Sequence, residues 1–110
     1  MRPMPEGLHI EPRHLAMVCQ VLAQHVPGLP VWAFGSRTKG CAKPHSDLDL
    51  AVITTEPMSL QQAALLAEAF SESDLPWRVD VVDWASTSEP FRRLIEAHHV
   101  VLQGAGDQPA

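Results

Sequence analysis

Apolar residues recur along the chain in two rhythms. Leu15, Val18, Cys19, Leu22 and Val26 follow one another at three- and four-residue steps, which places them on one side of a helix over 11–26. Pro12 suits a first helical turn, where no N–H is needed, and Pro27-Gly28 ends the helix. Val31-Trp32-Ala33-Phe34 is a short unbroken apolar run, read as a buried strand that leads straight into Gly35-Ser36. From Asp47 to Thr54 the rhythm changes to two: Leu48, Leu50 and Val52 alternate with Asp47, Asp49, Ala51 and Ile53, as in a strand. Ser59 followed by Gln62 forms a capping-box pair. It opens a second helix to about Ser71, with Leu60, Ala63, Ala64, Ala67 and Phe70 on its apolar face. Trp77 to Trp84 reads as a third strand. Ser86 or Ser88 caps a last helix whose apolar face is Phe91, Leu94, Ile95 and His98, and Val100-Val101-Leu102 is a short final strand. The polar stretch from Arg37 to Ser46 reads as a helical turn plus loop, and residues 1–10 and 104–110 as loose termini.

The order helix, strand, strand, helix, strand, helix, strand predicts an α/β (α+β) fold: a small mixed β-sheet with helices packed on it. No repeat, low-complexity tract or long linker divides residues 1–110, so one domain is expected. Hydrophobic residues make up 45% of the chain, enough for a packed core and too many for a disordered segment. The formal net charge of −5 argues against strong nucleic-acid binding, which needs a clustered basic surface, but leaves room for one nucleotide. Cys19 and Cys41 have no zinc-like spacing. Cys19 falls on the apolar face of the first helix, and Cys41 in a loop. No apolar run reaches membrane-spanning length, so no membrane partner is expected. The N-terminus lacks an apolar signal core, so the expected compartment is the cytoplasm.

The chemistry is carried by acids. Asp47 and Asp49 stand two apart on a strand, which points both to the same face. Like charges side by side repel, and a divalent cation held by one or two carboxylates resolves the repulsion. An isolated Asp-x-Asp is more often a pair of solvated strand-edge residues. Here the pair opens an apolar strand and follows another that ends in Gly-Ser. Glycine at Gly35 permits close backbone approach, and the Ser36 hydroxyl can donate to phosphate oxygens. Asp80 sits among valines in the third strand, where an unpaired carboxylate is costly. Asp83 has the opposite parity and is read as a strand-end or turn residue.

The string Gly35-Ser36-Arg37-Thr38-Lys39-Gly40, then Ser46-Asp47-Leu48-Asp49-Leu50, then Asp80 on a later strand resembles the minimal nucleotidyltransferase (MNT) family of the DNA polymerase β-like superfamily. The resemblance runs from the Val31 strand through the last helix. It implies that Gly35 and Ser36 contact a triphosphate and that Asp47 and Asp49 ligate Mg²⁺. Asp80 would complete the acidic triad, as a ligand of a second ion or as the group that helps deprotonate the acceptor. Arg37 and Lys39 would pair with phosphates. The implied reaction passes a nucleoside monophosphate, AMP from ATP, to an acceptor hydroxyl. Minimal members lack the extra domain that holds a second substrate. The acceptor is then expected on another chain, often a helical HEPN-type protein encoded alongside, with the MNT protein as the antitoxin of the pair. A homo- or hetero-oligomer is compatible with this.

Two rival readings remain. One is a non-catalytic binding module that neutralises its partner by docking alone; three converging carboxylates count against it. The other is transfer to a small molecule, for which the chain leaves little length to build an acceptor pocket. The histidines are set aside: His98 is read as helix-face packing, His99 as surface, and His45 only as a neighbour of Ser46-Asp47. Trp32, Trp77 and Trp84 are read as packing residues.

Overall fold

A computed structural model describes Leu8, residues 10–35 and residues 47–104. The elements are α1 (Pro12–His25), β1 (Val31–Phe34), β2 (Leu48–Val52), α2 (Leu60–Ser71), β3 (Val79–Asp83), α3 (Glu89–Ala97) and β4 (Val100–Gln103). A single 3-10 turn, Trp84–Ser86, joins β3 to α3. The strands form one mixed sheet in the order β3-β2-β1-β4. β1 runs antiparallel to both β2 and β4, whereas β2 and β3 are parallel and connected through α2.

Strand parity divides the sheet into two unlike faces. On one face Val31 and Ala33 of β1, Leu48, Leu50 and Val52 of β2, and Leu102 of β4 are buried. They meet Leu15, Val18 and Leu22 of α1, Leu66 and Phe70 of α2, and Trp77. Leu8 and Ile10 also pack against this cluster, so the N-terminal segment read as loose is anchored at these two residues. Their apolar side chains have a core to join, which no periodicity over so short a stretch could signal. Cys19 is only half buried and packs on the rim of the core.

Helix ends follow the local chemistry. Pro12 stands in the first turn of α1, and after His25 the chain turns through Gly28 at φ 79°. Ser59 accepts a hydrogen bond from the Gln62 N–H at 3.0 Å and starts α2, as the capping pattern predicts. The buried face of α2 differs from the predicted one. Leu66 and Phe70 point inward, whereas Leu60 is 91% exposed and Ala64 and Ala67 are exposed too. Alanines on both sides of the helix blur its apolar stripe, and the two bulky side chains that fit the core set its rotation. The loop between α1 and β1 is held from the far edge of the sheet. Gln103, which is buried, donates from Nε2 to the Val26 and Leu29 carbonyls, at 2.8 Å each. A bulge between the Val31–Gln103 and Trp32–Val101 pairs brings it there.

The second face carries α3. Only Ile95 of the helix is buried, so the predicted inward face of Phe91, Leu94, Ile95 and His98 holds for one residue of four. The helix lies on aromatic rings: Trp32 meets Trp84 edge-on at 5.3 Å, and Phe34 meets Phe91 at 5.6 Å. His98 and His99 exchange their expected roles. The helix stops at Ala97 and His98 is extended (φ −153°), so His98 is exposed while His99 stacks on Trp32 at 4.0 Å. The expected packing of the tryptophans holds: Trp77 enters the core and meets His14 edge-on, and Trp32 and Trp84 pack on each other. Among the described residues, no helix is long and apolar enough to cross a membrane.

Candidate active site

The carboxylates stand on the face that carries α3. Asp49 is the second residue of the apolar strand β2, and its neighbours Leu48 and Leu50 are fully buried on the opposite face. Asp47 lies just before β2, in phase with Asp49. Pairing then adds the third acid, because parallel register sets Asp80 of β3 level with Asp49. Neighbouring strands are about 4.8 Å apart. Carboxylates set level at such a spacing repel each other, and water around the half-exposed Asp80 screens part of that repulsion.

That repulsion is visible at Asp49. Burial holds its carboxyl above the ordinary value of 3.8, and the adjacent Asp80 and Asp47 carboxylates push it further the same way. Among the described residues, Arg78 supplies a cation here: its Nη2 lies 3.6 Å from Asp80 Oδ1. Both side chains are largely solvated, so water screens the pair and relieves little of the charge. Arg78 escaped the sequence reading, although its two-residue spacing from Asp80 puts it on the same face of the strand.

Gly35 completes the described part of the site. β1 runs antiparallel to β2 with Phe34 opposite Asp49, so the chain leaving β1 passes beside the Asp49 carboxylate. Gly35 takes φ +86°, and a Cβ built there would lie 2.3 Å from Asp49 Oδ2. Glycine is required twice over, by the left-handed backbone and by the carboxylate. The sequence suggested close approach to a ligand; the structure gives the glycine a protein neighbour as well. Ser36, Arg37 and Lys39, together with Cys41, His45 and the predicted helical turn around them, lie outside the described residues.

Asp83 stands apart, as its parity predicts. It ends β3, accepts hydrogen bonds from the Thr54 hydroxyl and from the Met58 N–H (2.7 Å), and so ties the end of β2 to the start of α2. Thr54 in turn accepts from the Ala85 N–H at 3.1 Å. This carboxylate is occupied in holding loops together.

Carboxylate oxygens are ligands for a hard divalent cation. Among the described residues, no three His, Cys, Asp or Glu side chains are gathered closely enough to enclose an ion. The described donors, the Asp47, Asp49 and Asp80 carboxylates, are of the kind that hold such an ion in ones or twos, with water and substrate phosphates filling its other positions. An open, acidic shelf beside a glycine turn suits a substrate that brings its own phosphate oxygens.

Comparison with known proteins agrees. The family model for polymerase beta nucleotidyltransferases matches residues 18–106. The chain is 57% identical over 96 residues to the probable protein adenylyltransferase MntA of Haemophilus influenzae, covering 87% of this chain and 84% of that protein. A solved toxin–antitoxin structure with AMP-PNP superposes with a TM-score of 0.71 at 26% identity, over 83% of this chain and 73% of that one. The solved complex of a tri-AMPylated HEPN toxin from Shewanella oneidensis with MNT antitoxin shares the fold, with a TM-score of 0.64 at 24% identity over 84% of this chain and 71% of that one. Sheet, carboxylates and matches together place the chain in the DNA polymerase β-like nucleotidyltransferase superfamily, as a member of its minimal (MNT) family. It is a nucleotidyltransferase enzyme.

Proposed function

We propose that the protein transfers AMP from ATP, with Mg²⁺, to a hydroxyl of a HEPN-type partner protein, acting as the antitoxin of the pair. The observation that carries this reading is the level Asp49–Asp80 pair beside Gly35, with Asp47 adding charge to Asp49. Relatives support the finer parts: the Haemophilus influenzae protein is named a probable protein adenylyltransferase, and a structural relative is a toxin–antitoxin structure with AMP-PNP.

Asp47 and Asp49 would hold Mg²⁺, with Asp80 as a further ligand or as the proton acceptor. The bound ion supplies charge neutralisation at the transferring and leaving oxygens. The acceptor hydroxyl oxygen attacks the α-phosphorus in line, the bond from that phosphorus to the α,β-bridging oxygen breaks, and pyrophosphate departs. The hydroxyl proton passes to a carboxylate or to water. Gly35, with no Cβ, lets the backbone pass close beside the Asp49 carboxylate. Ser36, Arg37 and Lys39 hold the phosphates in the pattern that the family resemblance implies.

The test is calorimetric titration with ATP, with and without Mg²⁺, for the wild type and an Asp47→Ala/Asp49→Ala variant. It is paired with incubation of the HEPN partner and α-labelled ATP. Binding should require Mg²⁺ and vanish in the variant, and label should move to the partner. Tight partner binding with no transfer of label would instead identify a docking antitoxin.

A further inference from the structure

Three of the large apolar side chains that the described residues expose lie on the carboxylate side of the sheet. They are Phe91 (37% exposed) and Leu94 (69%) on α3, and Val101 (50%) on β4. Phe34 is paired opposite Asp49, and Phe91 leans edge-on against Phe34. Leu94 follows Phe91 by three residues on the same helix, so the two share one side. Val101 pairs with Trp32, one step along the same face of β1. An apolar ridge therefore begins beside the Asp49 carboxylate and extends outward along α3.

The ridge is firmly mounted. Ile95 is buried beneath α3, and Arg92 donates from Nε (3.0 Å) and Nη2 (2.7 Å) to the Trp84 carbonyl while lying over the Trp84 ring. The helix's other arginine, Arg93, is paired with Glu89 at 2.9 Å. Both cations of α3 are thus engaged within the chain, and the chain as a whole carries −5. Such a face suits neither a phosphate backbone nor a strongly acidic partner. It suits an apolar protein surface.

We infer that Phe91, Leu94 and Val101 form the dock for the protein acceptor, seating an uncharged apolar patch that lies next to its reactive hydroxyl. The inference rests on the proposed transfer to a protein. A hydroxyl carried along this face would reach the carboxylate shelf, and the ridge is an exposed apolar surface that borders the shelf. Docking there would orient the hydroxyl before reaction, so that the carboxylates act on a positioned group.

The test titrates the purified HEPN partner into the wild type, Leu94→Glu and Leu60→Glu. Both leucines are exposed, so neither change disturbs the core, and Leu60 lies on α2, away from the ridge. Leu94→Glu should weaken partner binding by about tenfold or more, as expected for loss of an apolar anchor. Leu60→Glu should bind like the wild type, and ATP binding should be the same in all three. The inference is overturned if the wild type does not bind the partner, if Leu94→Glu binds as tightly as the wild type, or if both variants weaken equally. Loss of ATP binding in Leu94→Glu would give the ridge to the nucleotide and also overturn it. Sedimentation of the free proteins covers the remaining occupant: a wild-type dimer broken by Leu94→Glu with partner binding intact would assign the ridge to self-association. Partner binding without label transfer in the wild type would refute the proposed reaction alone, since the Leu94→Glu comparison still reads the dock.

Discussion

Replacing Gly35 by alanine tests the centre of the site with a single methyl group. Two costs arise, and they are separable. The backbone φ of +86° lies in the left-handed region, which costs an L-residue about 1–2 kcal/mol. The new Cβ would also fall 2.3 Å from Asp49 Oδ2, so the carboxylate must move by about 1 Å or leave its rotamer, at about 0.5–1.5 kcal/mol. The total is about 1.5–3.5 kcal/mol, measurable by urea unfolding. Because a misplacement of about 1 Å at a reacting centre can cost on the order of 10²-fold in rate, transfer activity should fall much further than stability. Gly28→Ala is the control. It has a similar φ of 79° in the turn after α1, away from the carboxylates, and should lose stability while keeping activity. A second control, Gly35→Ala combined with Asp49→Ala, should recover the steric part of the stability loss. If Gly35→Ala loses no more stability than Gly28→Ala and retains full activity, the close packing of Gly35 on Asp49 is wrong.

Two further predictions follow from named contacts. Asp49 has a folded-state pKa raised above 3.8, so ionising it opposes folding: its contribution to stability is present at low pH and is lost as pH rises through the raised value. Asp49→Asn should therefore raise Tm at neutral pH in the absence of divalent ions, and its advantage over the wild type should shrink toward pH 4; an unchanged or lowered neutral Tm would contradict the sign. Gln103→Leu removes both hydrogen bonds to the Val26 and Leu29 carbonyls and should cost about 2–3 kcal/mol, or about 10 °C in Tm, by thermal unfolding.

Much of the fold was legible because strand alternation and helix caps are local signals. Leu48, Leu50 and Val52 read correctly as one face of β2, and Ser59 as the cap of α2. The rotation of α2 was not legible, since alanines carry too little bulk to mark a stripe and only packing chose Leu66 and Phe70. The apolar residues of α3 do share one side, as read, but only Ile95 of that side finds cover on the sheet, while Phe91 and Leu94 stay exposed. The helix also ends one residue too early for its periodicity to reach His98. At the site, Asp47, Asp49 and Asp80 could be named from parity, but the level pairing of Asp49 with Asp80 is a matter of register between strands almost thirty residues apart in sequence, which no local pattern encodes. Gly35's contact with Asp49 is likewise a product of the antiparallel β1–β2 pairing.

The alternation along β2 has a consequence for how this site tolerates change over generations. A strand moved by one residue presents its other side chains. In β2 that would turn Leu48, Leu50 and Val52 out of the core to the face that carries α3 and the carboxylates, and drive Asp49 into the apolar layer. A deletion within these five residues is thus lethal to the folded state before it can produce a folded but inactive protein. The core proofreads the position of the acid, and any lineage that keeps this strand folded inherits the aim of Asp49 with it.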